Sequence, residues 1–202
     1  REDTRVTEST QLSLHRRQVH LASADLDGVL DGLRPLMVAH EGAGRTGPFS
    51  VVNIGVEDAP LRLFCSPNVH VALAANADTI AVDLAPTVQY VQFARNGVEL
   101  TMSVAGAVSA LLRTTPVASC VAQLAELRQR LELMALLTDG FALQYRDVQL
   151  ADAAQHVSGA TRSLIASAGR ADNVACLDDL RYALMPALAA VAEAMRRHVI
   201  TD

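Results

Sequence analysis

Cys65 and His70 stand five residues apart around a proline-containing turn, FCSPNVH. A thiol and an imidazole at that spacing can come within hydrogen-bond reach. A cysteine hydrolase or transferase needs that pairing, with the base taking the proton that frees the thiolate. Cys65 also closes an apolar run, so burial as an inert structural thiol competes with the catalytic reading. A second candidate is the loop Gly42-Ala43-Gly44-Arg45-Thr46-Gly47, which matches G-x-G-x-x-G. With Arg45 it offers an anion or partner loop, as a ligand- or nucleotide-binding regulatory domain would use. In a dinucleotide fold, however, such a motif follows a strand and opens a helix, where the helix N-terminus meets the pyrophosphate. Here the neighbouring patterns stand in the reverse order, which favours a plain connecting loop.

The other titratable residues suggest less chemistry. His40-Glu41 and Asp25/Asp27 have the right types for acid–base work or metal ligation. Their places at the end and start of an expected helix explain them through the helix dipole alone. His15, His20, His40, His70, His156 and His198 show neither HxH nor HxxxH spacing, and Cys65, Cys120 and Cys176 show no CxxC. No metal site and no cofactor is expected from these patterns. Arg16-Arg17, beside His15 and His20, makes a small basic cluster that reads as the solvated edge of a strand.

The composition narrows the classes further. The 202 residues carry a formal charge of −5 and only 3% aromatics, with no Trp. That balance argues against a nucleic-acid binder and leaves an aliphatic core. All 17 basic residues are Arg. Without lysine there is no Schiff base and no P-loop lysine. A GC-rich genome accounts for this, as does escape from ubiquitination by a viral protein or bacterial effector. Three separated cysteines in apolar surroundings read as reduced thiols of an intracellular, cytoplasmic or nuclear protein. No stretch reaches the ~18 apolar residues of a membrane span. The charged start, REDTRVTEST, is not a signal peptide and reads as the edge of a longer chain.

The elements that must position these residues follow from hydropathy period and capping. QLSLHRRQVHL alternates and predicts a strand bent at Arg16-Arg17. Ser23 caps a predicted helix with the stripe Leu26, Val29, Leu30, Leu33 and Met37, and Pro35 kinks or divides it. PFSVVNIGVED and PLRLFCS predict a hairpin, and TIAVDL another strand. Arg95-Asn96-Gly97, between Val88–Phe93 and Val98–Val104, predicts a second hairpin from its Asn-Gly pair. From Thr115 to Gly140 the character is helical. Val117, Cys120, Leu124, Leu127, Leu131 and Met134 form one seam, with Thr115 as cap and Gly140 at the exit. Glu126 with Arg130, and Arg128 with Glu132, form i,i+4 pairs. A weaker helix over 148–168 follows, striped by Val148, Val157, Leu164 and Ile165 and ended by Gly169. A last one opens at Asp172 or Asn173 and carries Leu177, Leu180, Leu184, Leu188, Val191, Met195 and Val199, kinked or broken at Pro186.

The expected fold is therefore α+β: a mostly antiparallel N-terminal sheet with one packed helix, in strand-helix-strands order, then a C-terminal layer of two or three long helices. Residues 1–10 are expected to fray, 11–114 to form the body, and 115–202 the helical part, sharing a core with the body. The strand-helix-strands order around ADLDGVLDGLRPL resembles half of a sliding-clamp domain, which implies two such units and a basic inner surface. An acidic α+β body with helices resembles a secretion chaperone, which implies a dimer holding effector segments. Neither likeness carries a residue role.

The function expected is a non-enzymatic protein-interaction or assembly module, oligomeric or paired with another subunit, with no membrane or nucleic-acid partner. Its interaction residues are Leu124, Leu127, Leu131 and Met134, then Leu184, Leu188 and Val191. The alternatives are the anion or partner loop at Gly42, Gly44, Arg45 and Gly47, and the cysteine chemistry at Cys65.

Overall fold

The computed structural model describes residues 15–20, 33, 49–56, 62–63 and 79–198. Four strands form one antiparallel sheet: β1 (His15–His20), β2 (Phe49–Val56), β3 (Arg62–Leu63) and β4 (Thr79–Pro86). Their order is β1-β4-β2-β3. The strands expected from QLSLHRRQVHL, PFSVVNIGVED and TIAVDL are all present, and β2 pairs with β3 through Asn53–Leu63 and Ile54–Arg62. The bend expected at Arg16-Arg17 is absent: β1 pairs with β4 without a break from His15–Leu84 to His20–Thr79. A bulge does occur in β2, between Val51 and Asn53. It lets Val51, Val52 and Ile54 all be buried, on the two faces of the sheet.

The α+β layout holds, and the helices take the larger share of the described residues. β4 runs straight into α1 (Thr87–Leu112), followed by α2 (Val121–Tyr145), α3 (Val148–Gly169), α4 (Asn173–Asp178) and α5 (Met185–Arg196). The hairpin expected at Arg95-Asn96-Gly97 does not exist, because those residues lie inside α1. Gly97 is there for a packing reason. A Cβ on it would stand 2.8 Å from Met134 Cε and 2.9 Å from Met134 Sδ, on the facing helix. The missing side chain lets α1 and α2 approach closely, and the same Asn-Gly pair that marks a turn between strands here marks a helix crossing.

Thr115 does not cap α2. A short 3-10 turn, Val117–Ser119, comes first, Cys120 holds the N-cap position without a side-chain bond, and Gly140 is interior. α2 ends instead at Arg146, whose φ of 52° is left-handed. The Asp147 N–H bonds Ala142 O at 3.0 Å, and Asp147 then caps α3 by accepting the Leu150 N–H at 3.0 Å. The same device recurs one helix later. Ala171 has φ 55°, the Asp172 N–H bonds Ser167 O at 3.1 Å, and Asp172 accepts the Ala175 N–H at 3.0 Å. Two such left-handed closures, each followed at once by an aspartate cap, fold α2, α3 and α4 back on one another with connections of two or three residues.

The expected interruption near Pro186 takes the form of a π turn, Asp179–Leu184, joining α4 to α5. Proline has no N–H to give its own turn. The Met185 N–H reaches back five residues to Leu180 O, and the helix axis continues past the proline. The α2 ion pairs form as spaced, Arg128–Glu132 at 2.7 Å and Arg130–Glu126 at 2.8 Å. Lying mostly in solvent, each is worth about 0.3–0.5 kcal/mol.

One apolar cluster runs from Val52 and Ala85 in the sheet through Tyr90, Val98, Leu131 and Phe141 to Leu188 and Met195. Three buried threonines within it satisfy themselves. Thr101, Thr138 and Thr161 each donate to the carbonyl four residues back, at 2.7, 2.8 and 2.8 Å. Of the helix expected after Ser23, only Leu33 is described, and it is helical and fully buried. No helix among the described residues is long and apolar enough to cross a membrane.

Candidate functional site

The residues expected to meet a partner are mostly inside the molecule. Leu127, Leu131 and Met134 on α2, Leu184 in the π turn, and Leu188 and Val191 on α5 are at most 5% exposed and belong to the common core. Leu124 is half-buried against it. The period of the seam was right, but its availability was not: α1, α3 and α5 cover it. The same correction applies to α3, where Val148 is 79% and Ile165 39% exposed. Its buried stripe is Leu150, Ala153, Ala154, Val157, Ala160 and Leu164. Gly42, Gly44, Arg45 and Gly47, with Asp25, Asp27, His40, Glu41, Cys65 and His70, lie outside the described residues. Arg16 and Arg17 are on β1, an edge strand among those described.

Two polar clusters hold the helices to the sheet and to each other. At the first, the hydroxyls of Ser50, Thr87 and Tyr145 close a triangle, with Ser50–Thr87 at 3.0 Å, Ser50–Tyr145 at 2.8 Å and Thr87–Tyr145 at 3.0 Å. Beside it, the Gln144 side chain accepts the Val51 N–H at 2.6 Å and donates to Val51 O at 2.8 Å. At the second, His198 Nε2 meets Asp147 Oδ2 at 2.6 Å, and the His198 ring stands edge-on to Phe141 with centroids 4.8 Å apart. Burial pushes the Asp147 carboxyl up, but the Leu150 N–H, His198 and the Gln149 N–H together hold it below the ordinary aspartate value. No local pattern announces Gln144 or His198, whose partners are 93 and 51 residues away. Asp147 could have been found as an N-cap, since it directly precedes a helical run.

Cys120 and Cys176 are free and buried. Burial raises the Cys176 thiol, and Asp179 and Asp172 raise it further against the opposing effect of Arg170. A thiol in that setting stays protonated and unreactive.

The largest concave surface described lies between α3 on one wall and the π turn with α5 on the other. It is an open groove of about 1120 Å³. The helices forming it run antiparallel. Asp147 meets His198 at one end, and at the other Ser163 and Ser167 both donate to Asp179, each at 2.7 Å. Its floor is made of Ala153, Gly159, Ala160, Ala187 and Ala194, so the backbones of both walls come near the surface. Its rim carries Asp152, Arg162, Glu193 and Arg197, and Tyr182 stands 66% exposed at the π-turn end. The Arg181 guanidinium stacks over the Tyr182 ring, 5.2 Å from its centroid. Geometrically this is a seat for an elongated, helix-like segment. The sequence reading passed over it because α3 showed only a weak stripe amid alanines, and those alanines form the floor. No family model, curated protein or solved structure matches the chain.

Proposed function

We propose that this chain is a protein-interaction module and that the groove between α3 and α5 is its docking surface. The observation that carries the reading is the floor of alanines and glycine, flanked by charges of both signs and by an exposed tyrosine. Small side chains let a docked helix approach at the short end of helix-packing distances, where its backbone and side chains gain the most contact. Tyrosine and arginine at the edge are residue types that recur as anchors in protein interfaces. Leu184, Leu188 and Val191 then act from behind, by holding α5 at the angle that keeps the groove open.

Ala190 is exposed on the α5 wall of the groove, so Ala190→Trp fills it from solvent without disturbing the core. The chain isolated from the cells that make it is expected to be either a homo-oligomer by light scattering or part of a stoichiometric complex, and Ala190→Trp is expected to remove that association. A strict monomer with no stoichiometric companion, or an assembly indifferent to Ala190→Trp, would sink the reading.

A further inference from the structure

Resting on the groove as the docking surface, we propose that its occupant is a second copy of this chain, seated two-fold so that Asp152 of each copy meets Arg162 of the other. A two-fold interface must be complementary to itself, because one patch supplies both sides. The α3 wall meets that condition. Asp152 and Arg162 both line the groove, ten residues and therefore about 15 Å apart along the helix. With Gln155, His156 and Gly159 they follow a 3–4 spacing along one exposed side. A two-fold axis through the middle of α3, level with Val157, crosses the two helices antiparallel and sets each acid on the opposite base. Around that axis stand Ser158 and Gly159, which present little bulk between the helices. The charges are available for such a pairing. Arg162 has no ion pair among the described residues, and Asp152 has only His156, at 3.6 Å, with both side chains 68% exposed.

The second wall fits the same symmetry. Tyr182 lies at the Arg162 end of the groove, since late α3 packs on the π turn through Ser163, Ser167 and Asp179. The axis carries its exposed ring over the Asp152 end of the other copy, where Gln149 and Glu193 lie. An unrelated helix would need complementarity only to the groove. The matched acid and base, placed evenly about a midpoint of small residues, are what favours a copy of the same chain.

Sedimentation velocity on the full chain over a concentration series tests this, with circular dichroism to verify folding of each variant. The wild type is expected to dimerise. Asp152→Arg and Arg162→Asp, both at exposed positions, are each expected to weaken the dimer at least about tenfold, because like charges then face one another twice. Asp152→Arg combined with Arg162→Asp is expected to recover to within about threefold of the wild type, since the pair is restored with its sign reversed. A wild type that stays monomeric at every concentration overturns the two-fold seat and leaves the groove reading to the Ala190→Trp experiment. A dimer that ignores the single reversals, or a double variant no better than the singles, overturns the seat as well. A dimer that also ignores Ala190→Trp overturns both.

Discussion

Gln144 lays its side-chain amide against the backbone of Val51, accepting the N–H at 2.6 Å and donating to the carbonyl at 2.8 Å, so that a helix residue stands where a neighbouring strand would. The need is local. β3 pairs with β2 only at Asn53 and Ile54, and its register does not extend to Val51, next to the bulge. A buried backbone N–H and C=O left there without partners would each cost more than an ordinary hydrogen bond contributes.

Gln144→Ala strands both groups at once and is expected to lower stability by about 2–4 kcal/mol in urea denaturation. Gln144→Glu at neutral pH keeps an acceptor for the N–H but turns a second oxygen toward the Val51 carbonyl. It should be at least as damaging there and recover in mild acid, as protonation returns a donor. A cost below about 0.5 kcal/mol for the alanine variant would mean that water replaces the amide.

Asp147 links pH to stability. Its carboxyl is held below the ordinary aspartate value in the folded chain. The associated stabilisation is therefore present above the unfolded value and is lost as pH falls through the lower, folded one. Asp147→Asn keeps an acceptor for the Leu150 N–H and removes the charge facing His198. It is expected to be less stable than the wild type at neutral pH, with the gap closing in acid. Asp147→Ala also loses the cap, about 1 kcal/mol more. Thermal melts across the acid range measure this, and a gap that stays constant with pH would refute the linkage.

Ala171 holds a left-handed backbone, φ 55°, that suits glycine better than alanine. Ala171→Gly is expected to raise stability by up to about 1 kcal/mol. Ala168→Gly, three residues earlier within α3, is expected to lower it by about the same amount through helix propensity. If both glycines destabilise, the closure at Ala171 does not strain the chain.

Much of the architecture was legible because it is written locally. Alternating runs marked β1, β2 and β4. Gly169 and the Asp172-Asn173 pair marked the break between α3 and α4. The i,i+4 charges on α2 formed as spaced. The failure at Asn96-Gly97 was of another kind: whether a glycine serves a turn or a close crossing depends on the residue that faces it, and Met134 is 37 positions away. The seam on α2 shows the same limit. Its period reported that Leu127, Leu131 and Met134 would be covered, but a period carries no information on whether the cover comes from the same chain. Gln144 with Val51, and Asp147 with His198, are pairings that only the fold creates. Alanines on α3, which weakened its apolar stripe, became the floor of the docking groove.

The π turn has a consequence for phase. Cys176, Leu180, Leu184 and Leu188 are all fully buried, at successive intervals of four. In an unbroken α-helix three such steps drift by about 120° around the axis, so the first and last could not share a face. The wider turn at Asp179–Leu184 absorbs that drift and returns α5 to the core with its stripe in step. The turn therefore acts as a one-residue spacer in the angular register of the last helix. Deleting a single residue within it would restore regular winding while rotating everything after Leu184 by about 100°. Leu188, Val191 and Met195 would then swing out of the core, and the alanine wall of the groove would turn away from α3.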